Sequence, residues 1–257
     1  MRDEQTTVTF LGTEAVVPAA GHDSASLLIN GRYLVDTGWY AAIKMRSYGF
    51  DPLDLEYLFL THGHHDHYIG LPQILFYRSM RRATRSSLAP LKIVGPAEDL
   101  ETIVRLAEHF LQADRFPEVR CPLELYPLHP GEALDEADFH VAACASRHPV
   151  PGLVYRFLDK RTGATVVCAG DTAPDPALVD HVRGADLLIH EASFGPNTAP
   201  ADNTSLHSGA PDAAQLAQAA GVRRLALVHG PEERHGTGTL VQAARQGQAP
   251  GAVVQNH

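Results

Sequence analysis

An α/β fold is the class this chain predicts, and three observations carry that expectation. Apolar runs of strand length alternate with stretches of helical spacing from one end of the chain to the other. Histidine- and aspartate-bearing segments follow several of those runs directly, at strand ends, where α/β folds keep their ligands. No linker, low-complexity tract or repeat interrupts the pattern, so residues 1–257 are expected to form one domain.

The elements follow in order. Residues 7–12 read as a strand, and residues 26–30 and 33–36 as a hairpin around Gly31-Arg32. Residues 39–48 read as a helix closed by Gly49. The run 56–61 has the length and composition of a buried strand. Residues 71–82 are helical, 91–94 form a strand, and 97–112 form an amphipathic helix with Leu100, Val104, Ala107 and Leu111 on one face. Strands are then expected at 123–128, 139–145, 154–158, 164–169 and 186–190. An exposed loop at 199–203 precedes a helix at 211–220 that ends at Gly221. A strand at 224–228 and a last helix at 240–247 complete the reading.

Composition bounds the function. Apolar residues make up 44% and charged residues 20%, the balance of a soluble globular enzyme. No run reaches the roughly 18–20 apolar residues of a membrane span. The N-terminus leads into strand-like sequence without the apolar region of a signal peptide. Cys121, Cys144 and Cys168 are far apart and make neither a zinc knuckle nor a disulfide framework, which fits a cytoplasmic protein. A formal net charge of -9 opposes tight nonspecific binding to nucleic acid.

The chain holds 15 histidines, and their clustering carries the chemistry. Thr61-His62-Gly63-His64-His65-Asp66-His67 follows the apolar run Tyr57-Leu58-Phe59-Leu60. His62, His64 and His67 are imidazole donors and Asp66 is a hard oxygen donor, a mixed set that suits zinc, with manganese or iron as alternatives. An extended backbone through His62 and His64 points both rings the same way. The turn beyond them can carry Asp66 and His67 to a second ion, and a pair of divalent cations generates a hydroxide nucleophile at neutral pH.

With its His-x-His-x-Asp-His segment after a strand, the chain resembles the metallo-β-lactamase superfamily. That resemblance implies an αββα sandwich: two mixed sheets flanked by helices. It also implies further ligands downstream. His148, in Ser146-Arg147-His148-Pro149, resembles the third histidine of the first metal. Asp171, in Ala169-Gly170-Asp171-Thr172, resembles the carboxylate between the two metals, and His229 resembles the last ligand of the second. Asp36, in Leu34-Val35-Asp36-Thr37-Gly38, resembles the family's strand-end aspartate, which hydrogen-bonds a ligand histidine from behind. Gly12-Thr13 is expected to turn near the metal floor.

Details select a branch. True β-lactamases lack an aspartate at the place of Asp171, and the diiron redox relatives carry a carboxylate at the place of His64. His190-Glu191-Ala192-Ser193-Phe194 and Leu206-His207-Ser208 resemble instead the ribonuclease Z group of phosphodiesterases. There the resemblance gives His207 the role of general acid or phosphate partner, oriented by Glu191, with Asp66 orienting the hydroxide. Those enzymes insert a basic arm that grips transfer RNA between the positions of His148 and Asp171. Here that interval holds only enough chain for a hairpin around residues 159–163, so a large RNA substrate is not expected. The spacing resembles the small cyclic-phosphodiesterase relatives, although residues 1–60 lack the cysteines of their additional zinc site. Family relatives are commonly homodimers.

Two further substrate contacts are expected from position alone. Arg78 begins a cluster with Arg81, Arg82 and Arg85 that suits either a solvated helix end or an anionic substrate, and His235 follows His229 on a loop that can face the pocket. The sequence thus predicts a dinuclear metal-dependent hydrolase using a hydroxide shared by two ions on small phosphodiesters or cyclic phosphates. The competing readings are a hydrolase of carboxylic esters, lactones, thioesters or aryl sulfates, an RNA 3′-processing endonuclease, and a metal-stabilised binding protein.

Overall fold

Short strands with no polar interruption form where both faces of a sheet are covered, and most of the strand-forming runs in this chain meet that condition. The computed structural model describes residues 5–231, 242–244 and 252–253. Strands β1 (Val8–Gly12), β2 (Ser26–Ile29), β3 (Tyr33–Val35), β4 (Tyr57–Phe59), β5 (Leu91–Pro96) and β6 (Leu123–Leu128) form a 6-stranded sheet in that order. Its first pairs, β1 with β2 and β2 with β3, are antiparallel; β3 to β6 run parallel. A second, 7-stranded sheet holds β7 (Ala133–Asp135), β8 (Phe139–Ala145), β9 (Leu153–Asp159), β10 (Thr165–Cys168), β11 (Leu187–Glu191), β12 (Leu225–Val228) and β13 (Ala252–Val253). It too is mixed, antiparallel from β7 to β10 and parallel from β10 to β13.

Alternate residues of each strand serve different cores. Leu27, Ile29, Tyr57 and Phe59 face the second sheet, where Phe139, Val141, Tyr155 and Phe157 meet them. Phe59 packs edge-on against Phe157 at 4.7 Å and Tyr155 at 5.5 Å. Leu28, Leu34, Leu58 and Ile93 face outward under the helices α1 (Ala41–Ser47), α3 (Leu71–Arg81) and α4 (Leu100–Phe110); the short α2 (His65–Tyr68) lies in the ligand loop. On the far side Val167, Leu188 and Leu225 pack under α5 (Leu178–Val182) and the alanine-rich face of α6 (Ala210–Ala219). The result is helices, sheet, sheet, helices, the layering the resemblance implied.

Four elements were not legible, the two-residue β13 among them. β7 is a three-residue edge strand whose pairing with β8 creates it, α5 has only five residues, and α2 is a single turn. The helix expected over 97–112 begins later, because Asp99 N–H donates back to Pro96 O at 3.1 Å and holds a turn before α4. Of the helix expected over 240–247, residues 242–244 are helical and the rest lies outside the described residues.

The C-terminal ends of β3, β4, β8, β10, β11 and β12 share one edge of the molecule. Cross-sheet ties pin that edge where the histidine segment leaves β4. Tyr155 Oη donates to Leu60 O at 2.8 Å, Leu153 N–H donates to Thr61 O at 2.8 Å, and His62 bridges Gly152. Gly170, with φ +61°, lies so close to Thr61 that a Cβ would meet the threonine side chain at 2.8 Å. Only glycine lets β10 deliver Asp171 there.

Candidate metal centre

Beyond β4 the backbone stays extended through His64 (φ -77°, ψ 142°) and then turns into α2. The extended stretch points His62 and His64 into one group with His148 and Asp171; the single helical turn of α2 sends Asp66 and His67 into another with His229. Within each group the ligand atoms lie within 4.8 Å of one another. Asp171 Oδ2 stands between them, 3.8 Å from His62 Nε2 and 3.5 Å from both His67 Nε2 and His229 Nε2.

The outer nitrogen of most of these rings is held by the protein. His67 Nδ1 lies 2.8 Å from Asp36 Oδ2, His62 Nδ1 3.1 Å from Thr61 Oγ1, His148 Nδ1 3.2 Å from Leu206 O and His229 Nδ1 2.9 Å from Ser193 Oγ. Each such bond leaves Nε2 bare toward the centre. His64 is turned the other way and offers Nδ1, 3.1 Å from His62 Nε2 and 3.0 Å from His148 Nε2. Asp36, Leu206 and His229 have left-handed backbone (φ 53°, 55° and 54°), an uncommon conformation that costs about 1–3 kcal/mol per residue and gathers at functional sites.

The donor set fits divalent cations. Nitrogens at about 2.0–2.1 Å from a tetrahedral ion stand about 3.3 Å apart, close to the spacings around His64 Nδ1. Two buried atoms of the cluster, His67 Nε2 and Asp171 Oδ1, have no hydrogen-bond partner, an arrangement that is costly unless a ligand meets them. Burial and neighbouring imidazoles push the pKa of His62 well below the ordinary value; burial likewise lowers His64 and His148, so their lone pairs are available. Burial alone would raise the pKa of Asp66, but the neighbouring His229 and His67 outweigh it and hold it below the usual carboxylate range.

Beside this cluster stands a second layer. Glu191, fully buried at the end of β11, accepts Thr172 N–H at 2.8 Å and Ser193 Oγ–H at 2.5 Å. Its oxygens lie 3.0 and 3.1 Å from His207 Nδ1. His207 is still 21% exposed in its side chain, with its ring 5.0 Å from that of His148 and 5.7 Å from that of His229. Burial pulls the His207 pKa down, but the hydrogen bond and charge of Glu191, with Asp171 behind them, more than offset it and raise it.

The structure therefore gathers Asp36, His62, His64, Asp66, His67, His148, Asp171, Glu191, His207 and His229 at one place. Arg78 is a correction. It occupies the buried stripe of α3 with Leu71, Ile74 and Leu75, is 1% exposed, and donates to the carbonyls of Pro52, Leu53, Leu55 and Ala89. Its spacing on the helix, not its charge, decides its place, and no face is left for substrate. His235 lies outside the described residues. Sequence reasoning missed Thr61 and Ser193, the hydroxyls behind His62 and His229. Their only signal was adjacency: Thr61 precedes the histidine segment and Ser193 follows Glu191 by two residues.

Comparison with known proteins is consistent with this geometry. The beta-lactamase superfamily domain model matches residues 31–230. Ribonuclease Z of Shouchella clausii is 32% identical, over 86% of this chain and 85% of its own length. Ribonuclease Z of Methanothermobacter thermautotrophicus is 28% identical, over 93% of this chain and 91% of its own. The metallo-beta-lactamase fold protein YhfI from Bacillus subtilis superposes with a TM-score of 0.82 at 22% identity, covering 97% of this chain and 96% of that one.

Proposed function

This chain belongs to the beta-lactamase superfamily domain family and is a hydrolase; from that footing we propose that it cleaves small phosphodiesters or cyclic phosphates with two divalent cations, zinc before manganese or iron. One ion would sit on His62, His64, His148 and Asp171, the other on Asp66, His67, His229 and the same Asp171. Bound there, they would supply a water acidified to near neutral pH and positive charge for the phosphoryl oxygens.

The observation that carries the phosphodiester reading is His207 held by the buried Glu191 at the rim of the cluster. A phosphodiester is anionic when it binds and expels an alkoxide when it reacts. An imidazole held beside a carboxylate serves both stages, first binding an anionic phosphoryl oxygen and then giving its proton to the departing alkoxide. A neutral ester or lactone offers no anionic oxygen for it to bind at the outset. Asp66 Oδ2 lies 3.3 Å from His67 Nε2 and 3.2 Å from His229 Nε2 and faces the cluster, where it would orient the attacking water.

The chain between β9 and β10 is a short hairpin, whose Gly163 N–H donates to Asp159 O at 2.8 Å and closes the turn tightly, which favours a small substrate. No basic arm stands there, and the net charge of -9 disfavours a long polyanion. The identity with relatives named Ribonuclease Z favours a second reading, endonucleolytic cleavage of precursor RNA. Cytoplasmic residence belongs to the first reading, on the free thiols of Cys121, Cys144 and Cys168. Metal quantification with a panel of bis-aryl phosphate, cyclic nucleotide, lactone, aryl sulfate and precursor transfer RNA separates them. Turnover of the small phosphodiesters above all others is the expected result; faster cleavage of the precursor RNA or the lactone overturns it.

A further inference from the structure

Ser193, just past the end of β11, is the only side chain whose hydroxyl touches both the cation-binding cluster and the Glu191–His207 pair among the described residues. Its Oγ lies 2.5 Å from Glu191 Oε2, 2.9 Å from His229 Nδ1 and 3.3 Å from His207 Nδ1, with His229 O at 3.2 Å. A hydroxyl carries one proton, and an ionised carboxylate only accepts. The short contact to Glu191 takes the serine proton, so His229 Nδ1–H must be the donor to Oγ. In the neutral ring, the form that can bind a cation, that choice leaves Nε2 bare, and Nε2 is the atom 3.2 Å from Asp66 Oδ2 and 3.5 Å from Asp171 Oδ2.

The same device appears on the other sheet. Thr61 Oγ1 donates to Asp36 Oδ2 at 2.8 Å and meets His62 Nδ1 at 3.1 Å, while Asp36 also holds His67. In each case one buried carboxylate orders one imidazole directly and a second through a hydroxyl. The backbone of His229 is fixed independently, by its N–H donating to Thr13 O at 2.6 Å, so the ring's orientation is what the serine adds.

We propose that Ser193 is a positioning residue that sets the His229 tautomer for cation binding and ties that ligand, through Glu191, to His207. The proposal rests on the two-cation reading above. It assigns Ser193 no contact with substrate and none with an ion; its effect passes through His229.

The test compares wild type, Ser193→Ala and Ser193→Thr, each stripped of metal and then titrated with zinc against a chromophoric chelator, and with cobalt(II) for its visible absorption. Wild type should take two ions. Ser193→Ala should bind one of them about 10–100-fold more weakly, the usual effect of removing a partner behind a ligand, with an altered cobalt spectrum. Ser193→Thr, which keeps the hydroxyl, should restore both. Wild-type uptake of fewer than two ions overturns the two-cation reading and this role with it. Two ions in wild type, with Ser193→Ala indistinguishable in affinity and spectrum, overturns the serine's role alone. Weak binding that Ser193→Thr fails to restore, or an alanine variant that does not fold without metal, makes the side chain a packing element and also overturns it.

Discussion

At the scale of single residues, the centre is built by what stands behind each imidazole. Asp36 accepts from Thr61 N–H and Thr61 Oγ1 and lies against His67 Nδ1, so it governs ligands of both groups at once. Asp36→Ala should therefore weaken both ions, by about 10–100-fold; competition titration checks this, and loss confined to one ion would contradict the shared role. His207 stands apart from that support. His207→Ala should keep both metals while turnover of a bis-aryl phosphate falls by about 10²–10⁴-fold, the worth of one acid–base group. Undiminished turnover on every phosphodiester tested would remove it from the chemistry. The histidine segment was legible because ligands that share a strand end keep a fixed spacing. Thr61 and Ser193 were not, because a hydroxyl's role depends on which carboxylate the fold puts beside it.

At the scale of elements, two local structures make predictions of their own. The β9–β10 turn is anchored by Asp159, which accepts from Thr6 Oγ1, Asn30 Nδ2 and Arg161 Nη2, each at 2.8 Å. Burial works to raise its pKa, but the hydrogen bonds from Arg161, Thr6 and Asn30 prevail and hold it well below the usual carboxylate range. A depressed folded-state pKa stabilises the protein above the unfolded value of about 3.9, and that stability is lost as pH falls toward the folded value. Asp159→Asn should thus cost about 2 kcal/mol near pH 7, with the gap to wild type narrowing below about pH 4. Urea unfolding of the metal-free proteins across that range measures it; a gap that widens toward acid would reverse the assignment. Helix α3 supplies the other case. Arg78→Ala strands three buried carbonyls and a part-buried fourth and should destabilise by about 3 kcal/mol or more. The folded fraction should retain its KM for an anionic substrate, and a raised KM would restore the substrate role that the buried stripe denies it. Arg78 was misplaced because an arginine cluster reads as surface until the i, i+3, i+4, i+7 stripe is weighed against its charge.

At the scale of the whole molecule, the ligands are divided between the sheets. His62, His64, Asp66 and His67 leave the first at β4, whereas His148, Asp171 and His229 leave the second at β8, β10 and β12. Ions bound across that seam favour the folded state over the unfolded one by mass action, about 4 kcal/mol per site when the free ion is a thousandfold above its Kd. Chelation should therefore lower the melting temperature measurably by calorimetry, and readdition of zinc should restore it. An unchanged melting temperature would mean that the seam holds without them. The interior already joins the sheets through Tyr155 Oη to Leu60 O and the aromatic packing of Phe59, so the metal-free chain is expected to stay folded.

The sequence by itself determined most of the strands and helices and the residue types of the centre, and its family resemblance implied the layers. Apolar runs and strand-end histidines are local properties, and local properties survive in one dimension. The resemblance already implied that Asp171 lies between the two groups and that Glu191 orients His207; only the tertiary structure decided that Thr61 and Ser193 stand behind His62 and His229. It also took Arg78 out of the site and buried it on the inner face of α3. Those facts depend on which strand ends lie side by side across two sheets, and pairing between distant segments leaves no spacing in the chain from which it could be read.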